Sequence, residues 1–360
     1  MTQTRYASEI RLVALAMTLL WLAFPWLVPA GQEARWWGQF TVSFLFFTGI
    51  SQFGIIFVSI LRLCNAKWSQ PFYRTAETIT LAGAPLTVIG FLLIYGFGRQ
   101  HLFFWLNAQP GEHHSPWQTE TFLLWRHLLA QAFFYTLAWR AIAIARRDGE
   151  EAGKNALYHL AVWLCASFIL ANSFVAWDFG MMLYPHWHST VYPIHFWMNS
   201  IFGGTAAVLL LTLWLQGKQE QARVRNFGQM FTAFALLWLY FFWAQFVVTW
   251  YGNLPHELGP IRAQMEGAYA PLFWSMFIGI FALPFACLLS AAVKRSAFAL
   301  CGVACSILIA VWLHRYITVM PSLFKEPTLD GVTVLSLLCF AGAFLLPLLV
   351  LSKRAGVESA

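Results

Sequence analysis

The chain is organised around residues 177–195, which read WDFGMMLYPHWHSTVYPIH. This stretch holds one acid, three histidines and two prolines, and it has no lysine or arginine. Long apolar runs stand on both sides of it, near residues 157–177 and 194–215. A connection between two membrane-spanning helices does not need so much ionisable chemistry, so we expect a functional site here.

The composition indicates that much of the protein surface faces lipid. Hydrophobic residues make up 59% of the 360 residues, and charged residues only 10%. A water-soluble domain of this size could not bury so much apolar surface. The 19 tryptophans and 34 phenylalanines are typical of a protein anchored at membrane interfaces. The net charge of +7 is therefore interpreted as loop charge that sets orientation, and not as a surface for nucleic acid.

Ten apolar runs are long enough, at about 20 residues each, to cross a bilayer as helices. The sequence therefore predicts an all-α integral membrane protein with about ten transmembrane helices in a single polytopic domain, residues 1–360. The longest connection, roughly residues 99–120, is too short to bury a core of its own. The predicted spans are 10–29, 38–61, 78–98, 121–143, 157–177, 194–215, 229–251, 271–290, 297–319 and 332–351.

The distribution of lysine and arginine predicts the orientation. Of the 22 basic residues, sixteen lie at the termini or in even-numbered connections, four in odd-numbered connections and two within helices. The positive-inside rule then places both termini of this multi-pass protein in the cytoplasm. In that orientation residues 177–195 lie at the outer face.

The order of the spans favours an internal repeat. Helices 2–5 (residues 38–177) and helices 6–9 (residues 194–319) both start from outside, so they could be parallel copies. Each set has paired glycines in its first helix, which permit close helix contact. The predicted architecture is two four-helix bundles, helices 2–5 and helices 6–9, flanked by helices 1 and 10.

Further ionisable and polar side chains are predicted to reach the outer face from other helices. Such groups are costly in a membrane and usually face a bundle interior or a watery cavity. Histidine titrates near neutral pH, and a desolvated carboxylate can be shifted toward it, so the set could pass protons or receive them from a quinol. The candidates for a proton path or a quinone contact are Asp178, His186, His127, Arg126, His195, Gln245, Asn253 and Glu257.

Each of these residues also has an ordinary interpretation. A histidine such as His186 could be a plain interfacial residue, and Arg126 could simply pair with Glu120 or Asp178. The joint clustering is what favours a functional site. At the cytoplasmic side, Glu77 is a further candidate for a proton path, although the helix dipole also favours an acid near the start of a helix.

Neither a metal nor a haem is expected in this chain. The six cysteines form no CxxC pair, and Cys301 and Cys305, which share a helix face, have no further ligands nearby in sequence. A b-type haem needs axial histidines on facing helices, and His127, His195 and His314 all lie toward the outer ends. Phosphate-binding loops and nucleophile elbows are absent from the sequence.

Two outer segments resemble a known family. Residues 178–192, DFGMMLYPHWHSTVY, and residues 245–257, QFVVTWYGNLPHE, are similar to signatures of alternative complex III membrane subunits, specifically of the one designated F. These membrane subunits belong to the polysulphide-reductase membrane-anchor superfamily, also called NrfD-like. Ten spans agree with this family over most of the chain, but only these two segments are specific to it.

The resemblance implies two four-helix bundles, no haem or metal bound in this subunit, and a proton-conducting or quinone-contacting role. It implies assembly with a sister NrfD-like membrane subunit, a multihaem cytochrome c and an iron–sulfur subunit, with a terminal oxidase as a further partner. The quinol would be menaquinol or ubiquinol. The family-like residues are Asp178, His186, Trp187, Ser189, Thr190, Asn253, Pro255 and Glu257.

The sequence departs from the family pattern at four positions. Met182 stands where a serine is usual, and Tyr184 stands where an acid is common. His188 replaces an expected aromatic residue, and His256 replaces a second acid. A proton route that used those acids would be altered in this chain.

The ten spans, the cluster at the outer face and the family resemblance together predict an integral membrane subunit of a quinol-oxidising respiratory complex in the bacterial inner membrane. It would support electron transfer from quinol to periplasmic haem and iron–sulfur subunits, with proton translocation as a further role, and would not be catalytic alone. Trp187, His188 and His256 are expected to dock partner subunits. Two alternatives stay open: a stand-alone secondary transporter and a purely structural anchor. Pro85 and Pro284 are the only strong kink candidates, so the paired unwound helices of transporters are not evident.

Overall fold

Long α-helices dominate the fold. The computed structural model describes residues 2–106, 116–147, 149–184, 187–217, 219–252 and 255–354, and it describes no side chains at 2–8, 149, 150, 255, 256 and 354. Within those ranges no strand occurs, and ten helices are long and apolar enough to cross a membrane. The prediction of an all-α integral membrane protein with about ten transmembrane helices is confirmed.

The spanning helices are numbered α1 to α10 in chain order. Most extend beyond the predicted apolar runs, because a helix continues through the polar residues at its ends. The helix α3, for example, begins at Gln70, where Pro71 suits the first helical turn. The bounds are α1 Thr2–Leu27, α2 Glu33–Leu63, α3 Gln70–Leu93, α4 Glu120–Arg147, α5 Lys154–Phe179, α6 Tyr192–Gln216, α7 Gln221–Tyr251, α8 in three contiguous segments Ala270–Phe277, Ile278–Ala282 and Leu283–Leu289, α9 Ala297–Leu323 and α10 Gly331–Arg354.

Wider π-helical turns occur at two places in the described part of the chain. One directly follows α3, at Ile94–Gly98, and the other forms the middle of α8, at Ile278–Ala282. Pro284 is the second residue after the second of these turns. A proline has no N–H to donate and its ring crowds the preceding turn, so the wider turn accommodates it within a continuous span.

The helix α2 forms the centre of the molecule. It packs against α3, α5, α6, α9 and α10, and 94% of its most apolar window is buried. Glycines permit these close contacts, as the sequence indicated. A Cβ added at Gly54 would lie 2.3 Å from the backbone oxygen of Ala76 on α3, and one at Gly49 would lie 2.6 Å from Ser200 Oγ on α6. Neither position therefore has room for a side chain.

The remaining helices form two groups around α2. The helices α2 to α5 pack on one another, as do α6 to α9, which agrees with the two predicted bundles. The terminal helices α1 and α10 pack against each other, and α10 also packs against α2 and α3. The ring of Phe340 on α10 lies 5.6 Å from that of Trp21 on α1 and 4.7 Å from that of Phe40 on α2. The interpretation of the two groups as repeats stays a prediction.

One end of the molecule gathers most of the candidate site residues. The helices α5, α7 and α9 finish there, and α4, α6 and α8 begin there. We call it the outer end, defined by Asp178, Tyr192 and Tyr251, although the orientation in a membrane stays a prediction. A short helix, Pro255–Met265, packs on α7, α8 and α9 at this end and is called the connecting helix.

Candidate functional site

Asp178 is the centre of a buried polar cluster at the outer end of the first bundle. Its side chain, at the end of α5, is 1% exposed. Arg126 on α4 donates from Nε to Oδ2 at 2.8 Å and from Nη2 to Oδ1 at 2.5 Å. His127 Nε2 lies 2.7 Å from Oδ2, and Trp117 Nε1 donates to Oδ1 at 2.9 Å. These four residues are called the Asp178 cluster.

Arg126 is fixed from several directions. Its Nη1 donates to the backbone oxygen of Trp117 at 2.7 Å. The guanidinium carbon lies 4.4 Å from the ring centre of Trp117 and 4.8 Å from that of Phe122. A buried ion pair is tolerated only when the charges are paired in good geometry and their other hydrogen bonds are satisfied, and this arrangement meets both conditions. Arg126 therefore keeps Asp178 available as a carboxylate away from water.

His127 is the member of the cluster whose ring nitrogens can both donate and accept a hydrogen. Its ring lies between Phe91 of α3, at 4.7 Å, and Phe179 of α5, at 5.5 Å. With Asp178 ionised, His127 Nε2 carries the hydrogen and donates it to Oδ2. An imidazole oriented by a carboxylate in this way is the usual arrangement for general acid–base chemistry.

A row of polar side chains continues from His127 along α4 into the first bundle. Gln131 and Tyr135 follow at intervals of four residues, which places all three on one face of the helix. Gln131 is buried, and neither its Nε2 nor its Oε1 has a hydrogen-bond partner among the described residues. The Tyr135 hydroxyl accepts from Thr87 Oγ1 at 2.7 Å and also interacts with Gln52.

The sequence analysis predicted His127 as a site residue but did not predict that Gln131 and Tyr135 continue the row. Gln52 on α2 accepts from Asn172 Nδ2 on α5 at 2.8 Å, so polar groups from several helices meet inside the bundle. A spacing of four between His127, Gln131 and Tyr135 in an apolar helix was the available signal. That spacing shows a shared face, but it does not show which helix the face contacts.

Glu77 lies at the opposite end of the first bundle. It is buried on α3, with Arg62 Nη2 at 3.4 Å from Oε1 and Arg146 Nε at 3.8 Å from Oε2. Because α3 begins at Gln70, Glu77 is beyond the first turn, where the dipole effect is strongest. Pairing with two arginines accounts for its burial better than the helix dipole does.

A second group of titratable residues lies in the other bundle. His195 at the start of α6 and His314 on α9 are both buried, with ring centres 5.0 Å apart. They face a small, partly open cavity of about 30 Å³. Gln245 of α7 also lines it, so the structure brings two of the predicted site residues together here. The lining residues are Tyr192, His195, Phe242, Gln245, Phe246, Ile261, Gln264, Met265, Phe273, Met276 and His314.

Arg315 stands behind the two histidines. It is 0% exposed, and its guanidinium lies 3.7 Å from the ring centre of Phe196. Its Nη2 donates to the backbone oxygen of Phe196 at 3.0 Å and to Ser200 Oγ at 2.9 Å, while Nε and Nη1 have no partner among the described residues. It interacts electrostatically with His195 and His314.

The predicted docking residues differ in exposure. Trp187 is 3% exposed and packs its ring 4.7 Å from that of Tyr192, so little of it can reach a partner. His188 is exposed, and its backbone N–H donates to Glu257 Oε2 on the connecting helix at 3.1 Å. This bond joins the two segments that carry the family resemblance. His186 and Asn253, and the side chain of His256, lie outside the described residues.

Tyr184 replaces an acid that is common in the family. Its hydroxyl is buried, and burial raises the pKa of the phenol, so the side chain stays neutral at physiological pH.

Within the described ranges no group of three or more histidine, cysteine, aspartate or glutamate side chains could hold a metal ion. The absence of haem from this subunit stays a prediction.

A comparison with protein families decides the identity of the chain. The family model described as polysulphide reductase, NrfD, matches residues 27–325. The chain belongs to the NrfD family. The match covers α2 to α9, and it includes the Asp178 cluster, Glu77 and the cavity at His195 and His314.

A protein of similar sequence agrees with this assignment. It is the C subunit of the selenate reductase of Mesobacillus selenatarsenatis, which is 20% identical over 331 residues. The matched region covers 82% of this chain and 76% of the relative. The predicted membership of the polysulphide-reductase membrane-anchor superfamily is therefore confirmed, and the chain is a membrane subunit of the kind found in redox complexes.

Proposed function

We propose that this NrfD-family chain is the integral membrane subunit of a quinol-oxidising respiratory complex of the alternative complex III type. The two outer segments that resemble a membrane component of alternative complex III support the type of complex. The observation that carries the proposal is the buried His127–Asp178 pair, with its 2.7 Å contact, at the outer end of the first bundle. A proton-accepting pair in this position suits a substrate that arrives from lipid and must lose protons as it is oxidised.

Oxidation of one quinol releases two electrons and two protons. The electrons would pass to haem and iron–sulfur groups of partner subunits at the outer face. His127 would accept the protons of the two quinol hydroxyls one at a time and release each toward the outer surface. Asp178 stabilises the protonated imidazole, and Arg126 holds Asp178 in place through two hydrogen bonds.

We further propose that protons move through the first bundle. The row His127, Gln131 and Tyr135 leads inward from the Asp178 cluster, and Glu77 lies near the other end. Phe91, which contacts His127, and Glu77 are fourteen residues apart on α3, a rise of about 21 Å. Ordered water would have to bridge the gaps, and the unpaired amide of Gln131 is a ready partner for it.

The orientation and partners follow from the same proposal. Both termini would lie in the cytoplasm of a bacterium, with the outer end facing the periplasm, where a multihaem cytochrome c and an iron–sulfur subunit would dock. A sister NrfD-like membrane subunit would lie alongside in the bilayer. Exposed His188 and the connecting helix, which a hydrogen bond from His188 N–H to Glu257 joins, would form part of the docking surface at this end.

The test is the variant Asp178→Asn in the complex purified from native membranes. Asparagine keeps the shape but cannot stabilise a protonated His127, so quinol oxidation should fall about 100-fold. Glu220→Gln is the matched control, because Glu220 is an exposed acid paired with Arg223 at the other end of the molecule, and its rate should be unchanged.

Assembly must be measured on the same samples. Haem content and subunit ratio should match those of the wild-type complex, so that a lower rate is attributed to chemistry. His127→Gln, which keeps a hydrogen-bonding side chain, should reproduce the loss. Wild-type rates in assembled complexes of both variants would refute the role of the pair.

A further inference from the structure

A pocket opens at the inner end of the molecule, the end at which α2 finishes and α3 and α5 begin. We propose that it binds the phosphate of an anionic phospholipid, with the acyl chains lying along α5. The pocket is at the opposite end of the first bundle from the Asp178 cluster, and it takes no part in the chemistry proposed there.

The pocket is large enough for a phosphate group and the polar groups next to it. Its volume is about 270 Å³, whereas a single water needs about 10–15 Å³. It is partly open to the outside, so a ligand can enter without a rearrangement of the helices. Leu61 and Leu157, which are both buried, form an apolar side to a lining that is otherwise largely polar.

Three cations from three segments line the pocket. Arg62 comes from the last turn of α2, Lys67 from the connection between α2 and α3, and Lys154 from the first turn of α5. Among the described residues Glu151 is the only acid in the lining, so the pocket has an excess of positive charge. Basic pockets between membrane helices on the cytoplasmic side are typical sites for anionic lipid headgroups.

The two lysines are available to a ligand. Both are exposed, and neither forms an ion pair with another described residue. Arg62 differs, because its Nη2 lies 3.4 Å from Oε1 of Glu77. A phosphate held by Lys67 and Lys154 gains charge-assisted hydrogen bonds without breaking that pair. The N-terminus of α5, a helix of 26 residues, adds to the attraction for an anion.

The loop that carries Lys67 is held in one conformation. Asn65 has a φ of 51°, the left-handed geometry that commonly ends a helix. Ala66 N–H donates to the backbone oxygen of Leu61 at 2.9 Å, and Ser69 Oγ donates to the backbone oxygen of Ala66 at 2.7 Å. A preorganised site loses less entropy on binding than one that must be assembled.

The surface next to the pocket favours a phospholipid over a free phosphate. Tyr158 lines the pocket and is exposed, which is typical of a tyrosine at a membrane interface. Val162 and Ile169 follow at spacings of four and seven residues, on the same face of α5, and are also exposed. These three side chains form a stripe that leads from the pocket into the apolar part of the span. Acyl chains would cover this stripe, whereas a free phosphate would leave it unused.

The test uses a phosphatidylglycerol that carries a photoactivatable diazirine at the start of one acyl chain. The full chain, with the subunits that purify with it, is reconstituted into phosphatidylcholine vesicles that contain a sub-saturating amount of this probe. After illumination, peptide mass spectrometry measures the adducts on residues 61–73 and 151–162, so lipid sites elsewhere do not contribute to the signal. A phosphatidylcholine with the same diazirine is the comparison probe.

The phosphatidylglycerol probe should label these two segments at least about fivefold more than the phosphatidylcholine probe, because choline adds a positive charge to the headgroup. Lys67→Gln with Lys154→Gln should lower the labelling about tenfold, since two attractive charges are lost. Lys67→Arg with Lys154→Arg keeps both charges and should retain the labelling. Glu151→Gln removes the opposing charge and should increase it.

Arg225→Gln with Arg295→Gln is the matched control. Both arginines are exposed cations at the inner end, and neither lines the pocket. The control loses the same total charge as the double lysine variant, so its labelling should equal that of the wild type if the pocket, and not the general surface charge, attracts the lipid.

Three results would overturn the proposal. Equal labelling by the two lipid probes would show that charge does not select the ligand. Equal labelling of the double lysine-to-glutamine variant and the arginine control would show that the lysines do not hold the headgroup. Millimolar inorganic phosphate should leave the labelling unchanged, and loss of labelling on its addition would show that the pocket takes free phosphate instead of a phospholipid.

Discussion

Replacement of Arg126 by leucine tests how much the buried ion pair between Arg126 and Asp178 contributes to stability. The change removes three hydrogen bonds, two of them to the Asp178 carboxylate and one to the backbone oxygen of Trp117. It leaves a carboxylate that is 1% exposed with only His127 and Trp117 as partners. Loss of one partner from a buried ion pair typically costs about 3–5 kcal/mol. Two charge-assisted hydrogen bonds at about 1.5–3 kcal/mol each give an overlapping range of about 3–6 kcal/mol.

The double variant Arg126→Leu with Asp178→Leu separates pairing from packing. An apolar pair leaves no stranded charge, so it should be less destabilised than Arg126→Leu alone. The free energy of unfolding is measured by reversible denaturation in mixed micelles for the wild type, both single variants and the double variant. The coupling between the two sites should exceed about 1 kcal/mol.

Arg262→Leu is the matched control. Arg262 and Glu266 form an ion pair at 3.7 Å, but their side chains are 67% and 69% exposed. Such a pair contributes little, and the change should alter stability by less than about 0.5 kcal/mol. The reasoning is refuted if Arg126→Leu is as mild as Arg262→Leu, or if the two changes at Arg126 and Asp178 are additive within about 0.5 kcal/mol.

Three further predictions concern proton movement and packing. Glu77→Gln should slow proton uptake from the cytoplasmic side in reconstituted vesicles, measured with a pH-sensitive dye during quinol oxidation, and an unchanged dye signal would remove Glu77 from the path. Gln131→Leu should leave stability unchanged or raise it, since its amide is buried and unpaired, and should slow the same dye signal; a clear loss of stability would show that the amide is satisfied. Gly54→Ala should destabilise the folded protein by about 1–3 kcal/mol, because the added Cβ would lie 2.3 Å from the Ala76 backbone oxygen. Gly302→Ala is the control and should be tolerated, because a Cβ there has nothing within 4 Å. Equal effects of the two changes in a thermal unfolding assay would refute the packing argument.

The number of helices could be predicted from the sequence because a bilayer requires about 20 apolar residues for each crossing. The ends of the helices could not, since helices such as α3 continue through polar residues that an apolar run excludes. The close packing at Gly49 and Gly54 was also indicated, because only small residues let helices approach so closely.

The pairing of Arg126 within the Asp178 cluster could not be predicted from the sequence alone. Arg126 had two acids as possible partners, and spacing could not choose between them. The structure pairs Arg126 with Asp178 and places Glu120 3.3 Å from Arg99 instead. The choice depends on how α4 faces α5, which is set by packing along both helices.

The contact between His195 and His314 could not be predicted from the sequence either, because it also depends on how two helices face each other. The two histidines are 119 positions apart, and nothing in their local patterns indicates that α6 and α9 face each other at that depth. The inward row on α4 had a local signal in its spacing of four, but its neighbours Gln52 and Asn172 come from other helices. Contacts between side chains that are distant in the sequence can be identified only from the tertiary structure.

The most direct measurement of the central claim is reduction of haem by quinol in a complex purified through this chain. The tagged protein is isolated from its native membrane in mild detergent, its partners are identified by mass spectrometry, and the haem absorbance is followed after a quinol is added. The account predicts haem and iron–sulfur subunits in fixed ratio with the chain, and haem that is reduced by the quinol. A chain that purifies without redox partners, or haem that stays oxidised, would contradict it.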